Sequence, residues 1–267
     1  MYPVLFKIPL FGGITIYSYG VMVALAFVVA LAWIRYDSKR QGQNAARGID
    51  LAFYIILAAV LGSRILHVVV IERERFLSDP LMILRIWEGG LVFYGGLVAA
   101  FVVSFWYIRR HRMPVLLTCD IFAPAIALGH AIGRIGCFLA GCCYGRVADG
   151  APWYSVTFPH DPYTFAPAGL ALYPTQLMES AGEFIIFGIL MAVRRFKRFN
   201  GQLFASYLIL YALLRTTGEF FRGDAERGFI IEPWLSTSGF ISIFIFAAGA
   251  LLYAWLWRGH ALAAGGR

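Results

Sequence analysis

Charge is the first thing this sequence is short of. Only 14% of its 267 residues are Asp, Glu, Lys or Arg, against about 25% in an ordinary soluble domain. Hydrophobic residues make up 60%, and the mean hydropathy is +0.70. That balance excludes a soluble globular domain and implies an integral membrane protein. The first apolar run has no small-residue cleavage site, which argues against a removable signal peptide and for a retained helix. Internal repeats, low-complexity tracts and a polar second domain are missing too, so the expectation is a single polytopic domain over residues 1–267. The four cysteines include no C-x-x-C pair, the arrangement a dithiol oxidoreductase needs.

What is abundant is apolar length. Seven runs, at about 15–34, 50–71, 90–108, 119–140, 175–193, 203–221 and 235–257, can each cross a hydrocarbon core about 30 Å thick. The sequence predicts an all-α membrane protein with seven transmembrane helices. Cations gather after alternate runs: Arg35, Lys39, Arg40 and Arg47, then Arg109, Arg110 and Arg112, then Arg194, Arg195, Lys197 and Arg198, and finally Arg258 and Arg267. Such segments stay in the cytoplasm, which puts the amino terminus outside and the carboxyl terminus in the cytoplasm. The net charge of +8 is then mostly a collar against anionic lipid, and no nucleic acid is needed to explain it. One connection is long. Residues 141–174, rich in Gly, Pro and aromatics, are expected to form an ordered external cap between spans four and five.

Charges inside the spans stand out because burying them in hydrocarbon is costly unless they are paired or hydrated. Arg64, Arg134, Glu179, Glu183, Arg215, Glu219 and Arg222 all fall in or at the ends of apolar runs. Each has a bland reading as half of an ion pair that fastens helices. For Arg215 and Glu219, four apart on one helix, that reading is favoured. Arg134 and Arg222 differ because both sit at external span ends beside glycines. The planar guanidinium fork suits phosphate oxygens, so two of them at headgroup depth point to a phospholipid headgroup site. Of the small-residue pairs, Gly129 with Gly133 is assigned to helix packing, and Gly141 with Gly145 stays open.

At this point the motifs carry a family resemblance. The stretch GRIGCFLAGCCYGR, Gly133 to Arg146, resembles the signature of the bacterial prolipoprotein diacylglyceryl transferases, G-R-x-G-N-F-x-N-x-E-x-x-G. Tyr19 and Gly20, the GSR at Gly62 to Arg64, WEGGLVFYGG at Trp87 to Gly96, YPTQLMES at Tyr173 to Ser180 and GEFFRGD at Gly218 to Asp224 are similar to further family blocks in the same order. The pattern departs where Tyr94 replaces a histidine, where Cys137, Ala140 and Cys142 replace Asn, Asn and Glu, and where Gly239 replaces a glutamine.

The resemblance implies transfer of a diacylglyceryl group from phosphatidylglycerol to the thiol of the lipobox cysteine in a prolipoprotein signal peptide, releasing glycerol 1-phosphate. It implies a bacterial cytoplasmic (inner) membrane, with the active site toward the outer leaflet. That displacement needs the departing phosphate held and its charge stabilised, and the incoming sulfur as thiolate. Arg134, Arg222 and Tyr94 are the candidate catalytic residues. Tyr19, Gly95, Gly96, Gly133, Gly145 and Glu219 join the two arginines as candidate headgroup contacts. Tyr94 has two open roles, orienting the headgroup by a hydrogen bond, which is preferred, or acting as base once an arginine has ionised it. His67 and His130 lie within spans and read as packing histidines, and His160 lies in the cap. The reaction calls for no metal and no cofactor.

Cys137, Cys142 and Cys143 read as small packing residues that line the site. A disulfide between Cys137 and Cys142 requires the helix to end between them. A zinc site with His130 lacks the usual paired spacing. Two other function classes remain in view: a noncatalytic lipid-binding or transport protein on the same scaffold, and a membrane thiol oxidoreductase.

Overall fold

In the computed structural model the described residues are 2–8, 14–85, 89–223, 228–232 and 235–265. Trp87, Asp224 and Arg267, named above, lie outside them. The chain begins with an antiparallel hairpin of β1 (Val4–Ile8) and β2 (Ile14–Tyr17), followed by the helices α1 (Ser18–Arg40) and α2 (Ala45–Leu66). Asn44 caps α2, its side-chain oxygen accepting from Ala46 N at 3.0 Å and Arg47 N at 3.3 Å. A π turn (His67–Ile71), α3 (Arg73–Ser78) and a 3-10 turn (Pro80–Leu84) lead to α4 (Phe93–Arg110) and α5 (Val115–Ala140). The two-residue strands β3 (Val156–Thr157) and β4 (Ala171–Leu172) pair before α6 (Thr175–Arg195) and α7 (Gln202–Glu219). A last hairpin, β5 (Phe229–Ile231) and β6 (Leu235–Ser236), runs into α8 (Thr237–Gly265).

Each of the seven apolar runs corresponds to one long helix. Among the described residues five helices, Ser18–Arg40, Ala45–Ile71, Val115–Ala140, Thr175–Arg195 and Thr237–Leu262, are long and apolar enough to cross a membrane. Their outward residues are large and apolar, Val28, Phe53, Ile185 and Leu251 among them. A water-soluble bundle would carry polar side chains there, so the surface matches a lipid solvent.

The chain falls into two compact units, residues 34–118 and residues 1–33 with 119–267. In the first, α2 and α4 approach through glycine. A Cβ at Gly62 would lie 2.5 Å from Gly95 O, one at Gly95 would lie 2.3 Å from Gly62 O, and one at Gly96 would lie 2.4 Å from Ser63 Oγ. This is close backbone packing of the small-residue kind. Arg64 is buried and donates to Met82 O and Gly89 O, each at 2.6 Å, so its charge is answered by backbone carbonyls of the following connection.

In the second unit, Ala123 and Ala127 of α5, Ile186 and Leu190 of α6, and Leu203 and Tyr207 of α7 form the core. Asp120, fully buried on α5, accepts from Gly201 N at 2.7 Å and Phe204 N at 2.9 Å, and Lys197 Nζ lies 2.8 Å from it. It thereby caps α7, whose own N-cap residue is Gly201 and has no side chain for the purpose. The connection 141–174 is ordered around its own small core of Phe158, Ala166 and Leu172, with Phe138, Tyr144 and Val156 packed against it.

Candidate functional site

The site begins with a mirrored spacing on two helices. His130 and Arg134 stand four apart on α5, and Glu179 and Glu183 four apart on α6, so each pair occupies one helix face. The faces meet. Arg134 Nε lies 2.5 Å from Glu179 Oε2, and His130 Nδ1 lies 2.8 Å from Glu183 Oε1. Arg134 Nε also points to His130 Nε2 at 3.3 Å. Glu179 Oε1 accepts from Arg215 Nη1 at 2.6 Å, and Arg215 Nη2 reaches Ser238 Oγ at 3.0 Å and Glu219 Oε2 at 3.3 Å. Ser238 in turn donates to Glu219 Oε2 at 2.9 Å. The pairing of Arg215 with Glu219 is present, therefore, as one link of a chain that crosses from α5 to α8.

Glu179 and Glu183 are buried. Buried carboxylates of this kind are retained only when cations and hydrogen-bond donors answer them. Both contacts of Arg134 run through Nε, and among the described residues nothing accepts a hydrogen bond from its two terminal NH2 groups. The guanidinium is thus held from one edge with its fork end available.

Arg222 reaches the same region by a different route. Residues 221–223 lie antiparallel to 144–146: Gly145 bridges Arg222, Arg146 N donates to Phe221 O at 2.9 Å, and Gly223 N donates to Tyr144 O at 3.2 Å. Gly145 is required there, because a Cβ would lie 2.3 Å from Tyr173 O and 2.9 Å from Phe221 O. Gly133 is the opposite case, with nothing within 4 Å of a Cβ added to it. The packing role expected of Gly129 and Gly133 is therefore corrected: Gly129 makes only ordinary contact, Gly133 faces open space, and the close approaches belong to Gly136, Gly141 and Gly145.

The end of α5 explains the cysteines. Gly141 takes a left-handed φ of 72°, its N–H donates to Phe138 O at 3.2 Å, and Cys142 N donates to Cys137 O at 3.1 Å. That pair of bonds is the Schellman motif, which sets the residue two past the cap against the helix's last turn. Cys143 is also left-handed, at φ 58°. The doubled turn brings the thiols of Cys137, Cys142 and Cys143 within 4.8 Å of one another, and all three are free. They form one cluster. Thr175 Oγ1 donates to Cys143 O at 2.9 Å and Gln176 Nε2 to Cys142 O at 2.8 Å, so the YPTQ motif clamps the cysteine backbone.

Hydrogen bonds from Cys137 and Cys142 draw Cys143 below the ordinary thiol range, and Arg134 and Arg222 act in the same direction against the effect of burial. Cys142 is pushed up, chiefly by its hydrogen bonds to Cys137 and Cys143. Tyr19 lies within electrostatic reach of all three cysteines and of Arg134. With Cys142, Ala140, Tyr163 and Phe165 it lines a cavity of about 700 Å³.

Among the expected site residues, then, Arg134, Arg222, Tyr19, Gly133, Gly145 and Glu219 belong to the unit that contains this cluster. Tyr94, Gly95 and Gly96 belong to the other, where Tyr94 is exposed and the two glycines take part in the α2–α4 packing. His67 packs under Gly90, and His160 is exposed. Sequence reasoning missed the contact of His130 with Arg134 and Glu183. The two facing pairs at helical spacing were the signal for it.

The model of the family described as prolipoprotein diacylglyceryl transferase matches residues 3–255. A phosphatidylglycerol–prolipoprotein diacylglyceryl transferase of Clostridium tetani is 36% identical over 253 residues, covering 95% of this chain and 97% of that protein. A second such transferase, from Clostridium perfringens, is 34% identical over 90% of this chain and 91% of its own length. One from Geobacter sulfurreducens is 33% identical over 87% and 86%.

Proposed function

The chain belongs to the prolipoprotein diacylglyceryl transferase family, and on that premise we propose a residue-level account of its reaction. The protein is a membrane transferase that moves the diacylglyceryl group of phosphatidylglycerol to a prolipoprotein. The acceptor atom is the lipobox cysteine sulfur. A C–S bond forms at the third glyceryl carbon, the C–O bond to phosphate breaks, and glycerol 1-phosphate leaves with the electron pair.

The observation that carries this account is the posture of Arg134. Glu179 and His130 hold it at Nε, its terminal NH2 groups are left for an incoming oxyanion, and Arg222 lies close enough to act on the same Cys143. A guanidinium oriented before the substrate arrives has no reorganisation to undergo as charge develops on the leaving phosphate. The open space at Gly133 gives the headgroup room one residue from Arg134. Glu219 and Arg215 act behind Arg134, keeping Glu179 in position. Tyr94 is exposed at the start of α4, where its hydroxyl can orient a lipid headgroup, while Gly95 and Gly96 serve the packing of α4 against α2.

The chain works as one polytopic domain over residues 1–267. Seven spans place the amino terminus outside and the carboxyl terminus in the cytoplasm of a bacterial inner membrane. Residues 141–174 form an external cap, and the chemistry faces the outer leaflet. The test is direct. Purified protein in detergent should transfer labelled diacylglyceryl from phosphatidylglycerol to a lipobox peptide but not to the same peptide with serine for cysteine. Lipid binding without any transfer would leave only a noncatalytic role.

A further inference from the structure

The turn that ends α5 gathers three thiols that the binding of a phosphate by Arg134 and Arg222 does not call for. A helix cap with two left-handed residues folds Cys142 and Cys143 back on Cys137, and buried Thr175 and Gln176 pin the backbone carbonyls of the turn. The amide of Gln176 is fully buried, and its Oε1 has no donor among the described residues. Three free thiols within 4.8 Å of each other are close to what a tetrahedral zinc ion requires, since Zn–S bonds of about 2.3 Å set neighbouring sulfurs roughly 3.8 Å apart.

We propose that Cys137, Cys142 and Cys143 bind one soft divalent cation of the zinc class, whose fourth coordination position receives the thiol that accepts the diacylglyceryl group. The second half of this rests on the transferase reading above. Three protein ligands with one position left open is the arrangement of a catalytic zinc, whereas a structural zinc has four. Charge favours it as well. Three thiolates and a divalent cation sum to one negative charge, and two cations stand beside the turn, Arg134 one helical turn before Cys137 and Arg222 bridged to Gly145.

The site would give this chain a metal where the sequence called for none, and with it a means of ionising the incoming thiol. A free thiol with a pKa of about 8.5 is mostly protonated near neutrality. A thiol that coordinates zinc is deprotonated outright, its proton passing to solvent. Surrounded by three other thiolates the bound sulfur keeps its electron density, so it can attack the glyceryl carbon. As the C–S bond forms and the C–O bond breaks, the electron pair leaves on the phosphate held by Arg134 and Arg222. The product thioether is neutral and a poor zinc ligand, which frees the position. No electron is gained or lost overall. The cavity of about 700 Å³ onto which Cys142 opens, walled by Tyr19, Tyr163 and Phe165, gives an apolar peptide segment its way to the metal.

The experiment uses the full chain in detergent, reduced, stripped of metal with a chelator and titrated with Co2+ as a spectroscopic probe, then with Zn2+ in competition. One Co2+ per chain should bind, giving a sulfur-to-cobalt charge-transfer band and tetrahedral d–d bands that Zn2+ abolishes. Cys137→Ser, Cys142→Ser and Cys143→Ser should each lose the bands, while Cys119→Ser keeps them. A lipobox peptide with its cysteine should shift the d–d bands, and its serine counterpart should not. Transfer by the metal-free protein should fall at least tenfold and return with Zn2+. Wild-type chain that binds no Co2+, or bands that survive in all three cysteine variants, would overturn the site. Full transfer by the metal-free wild type would overturn the role of the metal and leave the transferase reading standing. Metal binding with no transfer in any state would sink the transferase reading while the three-thiol site held.

Discussion

Glu179 meets Arg134 Nε through one oxygen at 2.5 Å while its other oxygen takes Arg215 at 2.6 Å. A single buried carboxylate therefore orients the proposed phosphate ligand and ties it to α7. Removing it strands two guanidiniums where water is scarce. Glu179→Ala should destabilise the protein by about 3–5 kcal/mol, the usual cost of breaking a buried pair by deleting one partner. Thermal unfolding in detergent measures this. If the network is one unit, adding Arg215→Met to Glu179→Ala should cost less than the two single losses combined.

Arg134→Gln and Arg222→Gln should each lower transfer by at least about a hundredfold, in line with the ~2.7–4 kcal/mol lost when one preorganised donor to developing charge is removed. Lysine at either position should restore only part, since it keeps the charge and loses the fork. Near-normal turnover by both glutamine variants in folded protein would put phosphate recognition elsewhere.

Two glycines separate packing from binding. Gly145→Ala pushes a methyl against Tyr173 O and Phe221 O, both backbone atoms, and should cost about 1–3 kcal/mol as overpacking does, loosening Arg222 with it. Gly133→Ala meets nothing within 4 Å. It should melt like the wild type and show its effect as a raised KM for phosphatidylglycerol. A Gly133→Ala protein with both stability and KM unchanged would remove Gly133 from the headgroup site.

Topology is open to a simple check. Reporter fusions after Arg40, Arg112 and Arg198 should report cytoplasm, and fusions within residues 146–170 the outer face. An external carboxyl terminus would reverse the side on which the chemistry is placed.

The long helices were legible because hydrocarbon demands unbroken apolar length, and that demand is written directly into runs such as 119–140. Arg134 and Arg222 stood out for the related reason that a charge near lipid needs a purpose. The cysteine cluster was hidden, since spacing along the chain says little once a turn reverses it. What joins Cys137 to Cys142 is the left-handed φ of Gly141, and the clue was a glycine just past a helix end. Arg64 was legible as costly but not as to its partners, because backbone carbonyls at Met82 and Gly89 leave no mark in sequence.

The cap that Asp120 makes on α7 bears on how the chain is put together. Helix α7 begins at a glycine and depends on a carboxylate made some eighty residues earlier to accept from Gly201 and Phe204. Because α5 precedes α7 in the chain, the acceptor is made before the donors it answers, and Lys197 lies against the same carboxylate. The start of α7 is thus completed by a residue of another helix, a dependence that hydrophobicity alone does not encode.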